Sequence, residues 1–211
     1  MALLKRTSIG SVSWHQVTKR LALCSCLSGA SLVMMAPCYP SDSPNVIACL
    51  PKVGGVTTVY YSAGGISTPP SVAVAAFNAW SALSSSTGVN FVQATSGHPA
   101  DIYVNTGGRS GDCIFSQPNV GVITIGGQFT PDLTTYSSDG TLAFEHEIGH
   151  MLGLKDNSVL GGNVMNQTPA MSPCTPAGSG FSNGGEVPPT SADATEAGTC
   201  LSRDTKCQVY R

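Results

Sequence analysis

Two histidines four residues apart, His146 and His150, with a glutamate directly after the first, are the residues of this chain best placed to do chemistry. On a helix that spacing stacks both imidazoles on one face, about one turn apart, so both rings reach a single metal ion. Glu147 then projects beside the ion rather than at it, where a general base for a water on that ion must sit. Gly153, three residues after His150, can take the left-handed conformation that ends a helix and turns the chain back. That turn lets Asp156 return toward the same ion. The other role open to Asp156 is that of a turn residue in the polar run Lys155-Asp156-Asn157-Ser158.

The run His146-Glu147-x-x-His150-x-x-Gly153-x-x-Asp156 resembles the extended zinc signature of the metzincins, with aspartate where most of that clan carry a third histidine. Downstream, Gly161-Gly162-Asn163-Val164-Met165-Asn166 resembles their Met-turn, which implies Met165 beneath the metal; an ordinary core methionine is the alternative. The tyrosine that some members carry two residues later is Gln167 here. Phe77-Asn78-Ala79-Trp80, Gly88-Val89-Asn90-Phe91 and Ala100-Asp101-Ile102 are similar in order and spacing to the matrixin branch, so the resemblance runs from about Val56 to Met165.

The resemblance implies one catalytic Zn2+ held by His146, His150 and Asp156, with Glu147 as the base of a secreted zinc endopeptidase. The fold implied is α+β and zincin-like. It comprises a twisted mixed five-stranded sheet with a covering helix, a zinc-binding active-site helix, and a loop-rich C-terminal subdomain with a short helix. Structural Ca2+ is compatible with the family, and no motif of this chain derives a site for it. An edge strand before the zinc helix pairs with extended substrate in the clan, and by order Cys113-Ile114-Phe115-Ser116 fills that place. An internal hairpin without substrate is the equal alternative.

The elements that must carry these residues are legible from pattern. Val56–Tyr61 is β-branched and aromatic and ends at Gly64-Gly65, a first strand. After Pro69-Pro70, apolar residues at Val72, Ala73, Ala76, Phe77 and Trp80 follow helical spacing to about Leu83. Val89–Val92, Ala100–Val104, Asp112–Ser116 and Gly121–Ile125 are four further strands. The zinc helix is expected to start at Asp139-Gly140 and to bury Phe144, Ile148, Met151 and Leu152. Thr168–Pro189 reads as a Pro-, Gly- and Ser-rich loop. Ser191–Ala197 reads as a closing helix capped by Ser191.

Composition sets the remaining bounds. The 211 residues suffice for one domain with a full core plus a processed leader, and only 10% of them are charged. Lys5, Arg6, Lys19 and Arg20 precede the apolar run Leu21–Ala36, the pattern of a secretory signal peptide ending near residue 30, or 36 at the latest. That run is shorter than the roughly 20 residues of a bilayer-spanning helix, so no stable membrane span is expected. Without the leader, six basic residues face twelve acidic ones, which excludes a nucleic-acid binder. The domains are then a leader (1–30), an N-terminal segment serving as a short propeptide (31–52), and a catalytic domain (53–211). The chain is expected to be exported, extracellular or periplasmic, and monomeric, with a protein or peptide substrate.

Six cysteines remain after the leader, Cys38, Cys49, Cys113, Cys174, Cys200 and Cys207, allowing up to three disulfides, with Cys200 and Cys207 as anchors for the tail. Ala36-Pro37-Cys38-Tyr39-Pro40-Ser41-Asp42 faintly resembles the propeptide pattern by which matrixins place a thiolate on zinc, and a local Cys38–Cys49 bridge is the alternative. Of the three histidines outside the leader, His98 lies in a Gly-His-Pro turn and reads as a surface residue. Two other functions fit the same motif: a zinc-binding module without proteolysis, and a zinc hydrolase acting on a non-peptide substrate.

Overall fold

The Val- and Tyr-rich stretch after Gly55 is β2 (Val56–Gly64). The computed structural model containing it describes residues 38, 44–64, 70–108, 114–126, 137–156, 164–165 and 187–204. Thr57, Val59 and Tyr61 of β2 are buried and alternate with more exposed neighbours, the period of a strand with one face in the core. β2 pairs in parallel with β3 (Val89–Gln93) and with β4 (Ile102–Gly108). β4 pairs in parallel with β6 (Val122–Gly126), and β5 (Ile114–Gln117) closes the sheet antiparallel to β6.

These five strands form the mixed sheet expected of the α+β class. A sixth, the two-residue β1 (Lys52–Val53), folds back on the start of β2. Sequence reading passed over it because two residues carry no periodicity. Its signal is Gly54-Gly55, whose φ angles of 61° and 85° form the tight left-handed turn that a two-residue hairpin requires.

Helix α1 (Ser71–Ser81) buries Val72, Ala73, Ala76, Phe77 and Trp80, the set selected by helical spacing. Phe77 stacks on Tyr61 of β2 with ring centroids 4.0 Å apart and meets Phe91 of β3 at 5.2 Å. Beyond it the fully buried Trp80 donates from Nε1 to the Glu145 carbonyl at 2.9 Å. Glu145 belongs to α3 (Ser137–Met151), the helix of the two histidines, so one indole ties α1 to α3. Trp80→Ala should therefore cost about 3–5 kcal/mol of stability through lost burial and the cavity left behind, read as a lower urea midpoint at unchanged slope.

Helix α3 begins two residues before the expected Asp139-Gly140, and Phe144, Ile148 and Met151, with Leu152 just past its end, are all buried, as patterned. The short α2 (Ser84–Thr87) leads from α1 into β3. The closing helix, α4 (Ser191–Arg203), is longer than the expected Ser191–Ala197, and its cap is Thr190 rather than Ser191. Asp193 stands three residues after Thr190, the reach a reciprocal capping box needs. The Asp193 carboxylate accepts the Thr190 N–H at 2.8 Å, and Thr190 Oγ1 accepts the Asp193 N–H at 3.4 Å.

The N-terminal segment departs most from expectation. Cys38 is in a disulfide with Cys200 of α4, 162 residues away, and not with Cys49. A thiol consumed in that bridge is not available to a metal. Nor is the segment loosely appended. Asn45 Nδ2 donates to the Met151 carbonyl at the end of α3, its backbone N–H donates to the Asp204 carboxylate, and its Oδ1 accepts the Ile47 N–H. Ile47 is buried, and Val46 N–H donates to the Pro118 carbonyl just beyond β5. Local spacing suggested the Cys38–Cys49 bridge, but burial of Asn45 and Ile47 against α3 and α4 carries Cys38 to the opposite end of the sequence. Cys49 is also disulfide-bonded. The leader, Cys113, Cys174, Cys207 and most of the Thr168–Pro189 loop lie outside the described residues. Among the described residues no helix is long and apolar enough to cross a membrane.

Candidate metal centre

The end of α3 is a turn built on Gly153. With φ at +87°, Gly153 sends its N–H to the His150 carbonyl at 2.9 Å, and Leu154 sends its own to the Gly149 carbonyl at 2.9 Å. These two bonds are the Schellman closure of a helix, and a Cβ at the positive φ would strain it. The reversal presents the Leu154 carbonyl to His150 Nδ1 at 2.9 Å. It also brings Asp156 back over the helix, as the Gly153 spacing anticipated.

His146 has a matching partner, since its Nδ1 lies 2.9 Å from the Val164 carbonyl. A carbonyl can only accept, so each Nδ1 carries a proton, and Nε2 is the ring nitrogen left to face a ligand or a proton. Both Nε2 atoms are aimed at one place. His146 Nε2 and His150 Nε2 each lie 3.2 Å from the same Asp156 oxygen, Oδ1. The two rings stand nearly perpendicular, with centroids 4.8 Å apart. Side-chain exposure is 5% for His146, 13% for His150 and 35% for Asp156, so the cluster opens toward solvent on the aspartate side.

Glu147 belongs to the same cluster, for one donor atom each from His146, Glu147 and His150 lies within 4.8 Å of the others. Its carboxylate is buried and differently held: Ser116 Oγ donates to Glu147 Oε2 at 2.7 Å. Sequence order placed Ser116 on the edge strand but gave no sign of this bond, which joins residues 31 apart. Burial raises the Glu147 pKa above the ordinary carboxylate value, against the opposing pull of His150, His146 and the Ser116 bond. For Asp156 the balance is reversed. Its bonds to His146 and His150 outweigh burial and hold its carboxyl well below the usual range. For His146, burial pulls the pKa down, but the Asp156 bond, the Glu147 charge and the Val164 bond leave it above the ordinary value.

Met165 is fully buried behind the cluster, beside the buried Val164 whose carbonyl holds His146. It packs on α3 at Gly149, where a Cβ would overlap Met165 Sδ. Of the six residues resembling a Met-turn, Val164 and Met165 are the two described, and they form a turn. Ile114, Phe115 and Ser116 lie on β5, which among the described residues has only β6 as a strand neighbour, so they are at the edge of the described sheet as anticipated. His98 stands apart from the cluster, stacked parallel on Tyr60 at 4.6 Å.

The chain matches no protein-family model and no curated protein. Among solved structures it is similar to myroilysin, with 13% identity and a TM-score of 0.45 over 76% of this chain and 99% of that one. It is also similar to high choriolytic enzyme 1, a hatching-enzyme zinc-protease of the medaka fish Oryzias latipes. There the identity is 11% and the TM-score 0.41, over 72% of this chain and 94% of the other. Both overlays are loose, and the chemistry of this site stands on its own geometry.

One neighbour of the cluster has a separate consequence. Glu145 is buried, its Oε2 has no hydrogen-bond partner among the described residues, and burial lifts its pKa from 4.5 to about 7. The folded chain thus keeps a proton that the unfolded chain releases. Stability from this group is full below pH 4.5, falls as pH rises, and is lost above about 7. Glu145→Gln should flatten that slope and gain about 3 kcal/mol at pH 8, measured by urea unfolding across pH. An unchanged slope would show that Glu145 is already ionised when folded.

Proposed function

We propose that this chain is an exported zinc-dependent peptidase in which His146, His150 and Asp156 hold the metal and Glu147 is the general base. The observation that carries the reading is the convergence of two imidazole Nε2 atoms on one carboxylate oxygen, each 3.2 Å away. Ligands about 2.0–2.1 Å from a tetrahedral zinc stand roughly 3.3–3.4 Å from one another, so the spacing fits that ion. Two neutral imidazoles and one carboxylate are also the donor set of a catalytic zinc, with the fourth position left for chemistry. Each imidazole is oriented by a carbonyl on its far nitrogen, the second layer such ligands require.

Glu147 is the less suitable ligand of the two carboxylates, because Ser116 occupies one of its oxygens and burial favours its protonated form. Both features suit a group that takes up a proton and returns it. Bound here, zinc would supply Lewis acidity, polarising a peptide carbonyl and acidifying water. Glu147 takes the proton from the attacking water and hands it to the departing amide nitrogen. The edge of β5, unpaired on one side among the described residues and close to Glu147 through Ser116, suits an extended peptide laid along it as an added strand. Export is supported by the Cys38–Cys200 bridge, which persists in oxidising compartments. The closer affiliation with matrixins rests on the sequence segments that resemble them.

The test is metal analysis of the purified chain together with cleavage of casein and a peptide library, before and after chelation and zinc return. Stoichiometric zinc and chelator-sensitive, zinc-restored peptide cleavage are expected. Stoichiometric zinc without peptide hydrolysis would point instead to a binding module or to a hydrolase of another substrate class, and a chain that takes up no zinc would end all three readings.

A further inference from the structure

The base and the sheet edge meet in one side chain. Ser116 Oγ–H donates to Glu147 Oε2 at 2.7 Å, a charge-assisted bond to a buried carboxylate. Without it, the terminal torsion of a glutamate is broad and the carboxylate can rotate away from any one direction. With Oε2 fixed, Oε1 is left for proton exchange. Ser116 also has a backbone to offer. The neighbouring Gln117 turns its carbonyl into the β5–β6 hairpin, where it accepts the N–H groups of Val120 and Gly121 at 3.1 and 3.0 Å. Backbone groups of successive strand residues point to opposite sides, so those of Ser116 turn away from β6, toward the side of β5 that no strand among the described residues covers.

We propose that Ser116 is a positioning residue for peptide hydrolysis: its hydroxyl fixes the orientation of Glu147, and its backbone lies on the edge along which the peptide is bound. This role rests on the peptidase reading above. It makes placement of the base depend on the strand that receives the substrate. A substitution here should therefore impair the chemical step more than metal binding or folding. Threonine keeps the hydroxyl and suits a strand, whereas alanine removes only the hydroxyl.

The experiment compares the full chain with Ser116→Ala and Ser116→Thr for zinc content, thermal midpoint, kcat and KM on one peptide. Ser116→Ala should hold zinc as the wild type does and lose about tenfold or more in kcat, the size of a lost hydrogen bond to a charged group, with KM within about twofold. Ser116→Thr should recover kcat to within about threefold of the wild type. A kcat for Ser116→Ala within about twofold of wild type, a loss confined to KM, or a threonine variant as poor as the alanine one would overturn the role while leaving the peptidase reading intact. A wild-type chain that holds zinc and cleaves no peptide would overturn both, and that result is read before any variant is made.

Discussion

Glu147→Ala is expected to take up zinc as the wild type does and to lose at least about two orders of magnitude in kcat, the usual scale of a missing general base. Its carboxylate sits within 4.8 Å of the donor atoms of His146 and His150, yet Ser116 holds one of its oxygens. The three residues that converge on one point, His146, His150 and Asp156, do not include it. Removing Glu147 therefore takes away the proton acceptor and leaves the metal's donors in place. The check is zinc content beside steady-state kinetics on one peptide. Near-normal kcat in a zinc-loaded Glu147→Ala chain would remove Glu147 from the mechanism, and loss of zinc together with activity would make it a ligand instead.

Asp156→Ala carries the second large effect, and here the loss should fall on the metal. Substituting a residue that only orients a ligand typically costs 10- to 100-fold in metal affinity, so loss of a direct donor should exceed about a hundredfold. The alanine variant also leaves two imidazoles without the carboxylate that now faces both. Asp156→His should keep binding, because a third neutral imidazole is an equally good zinc donor, while activity shifts with the lost negative charge. Competition with a chromogenic chelator measures both variants. Wild-type affinity in Asp156→Ala would return Asp156 to the role of a turn residue.

Much of this is legible in the sequence alone, for reasons that are local. The burial of Val72, Ala73, Ala76, Phe77 and Trp80 follows from helical period alone, and the strands from β-branched alternation ended by turn residues. The return of Asp156 toward the histidines followed from a glycine three residues past His150, because that position needs a positive φ and glycine supplies it at least cost. The boundaries that were missed, at the start of α3, the end of α4 and the two-residue β1, are places where period has nothing to count.

The sequence by itself determined the donor types, their four-residue spacing on one helix face, and the strand and helix pattern of an α+β domain. Only the tertiary structure decided what meets across long separations. It set Ser116 against Glu147, the Val164 carbonyl against His146, Trp80 against the Glu145 carbonyl, and Cys38 against Cys200. No local rule links residues 31, 18, 65 or 162 positions apart. Such pairings are set by which faces of sheet and helix bury against each other, and burial depends on the whole fold rather than on neighbours in the chain. The local Cys38–Cys49 alternative gives way for that reason: proximity in sequence favours a short loop, but Asn45 and Ile47 are buried and Asn45 is bonded to the end of α3 and to Asp204, far along the chain.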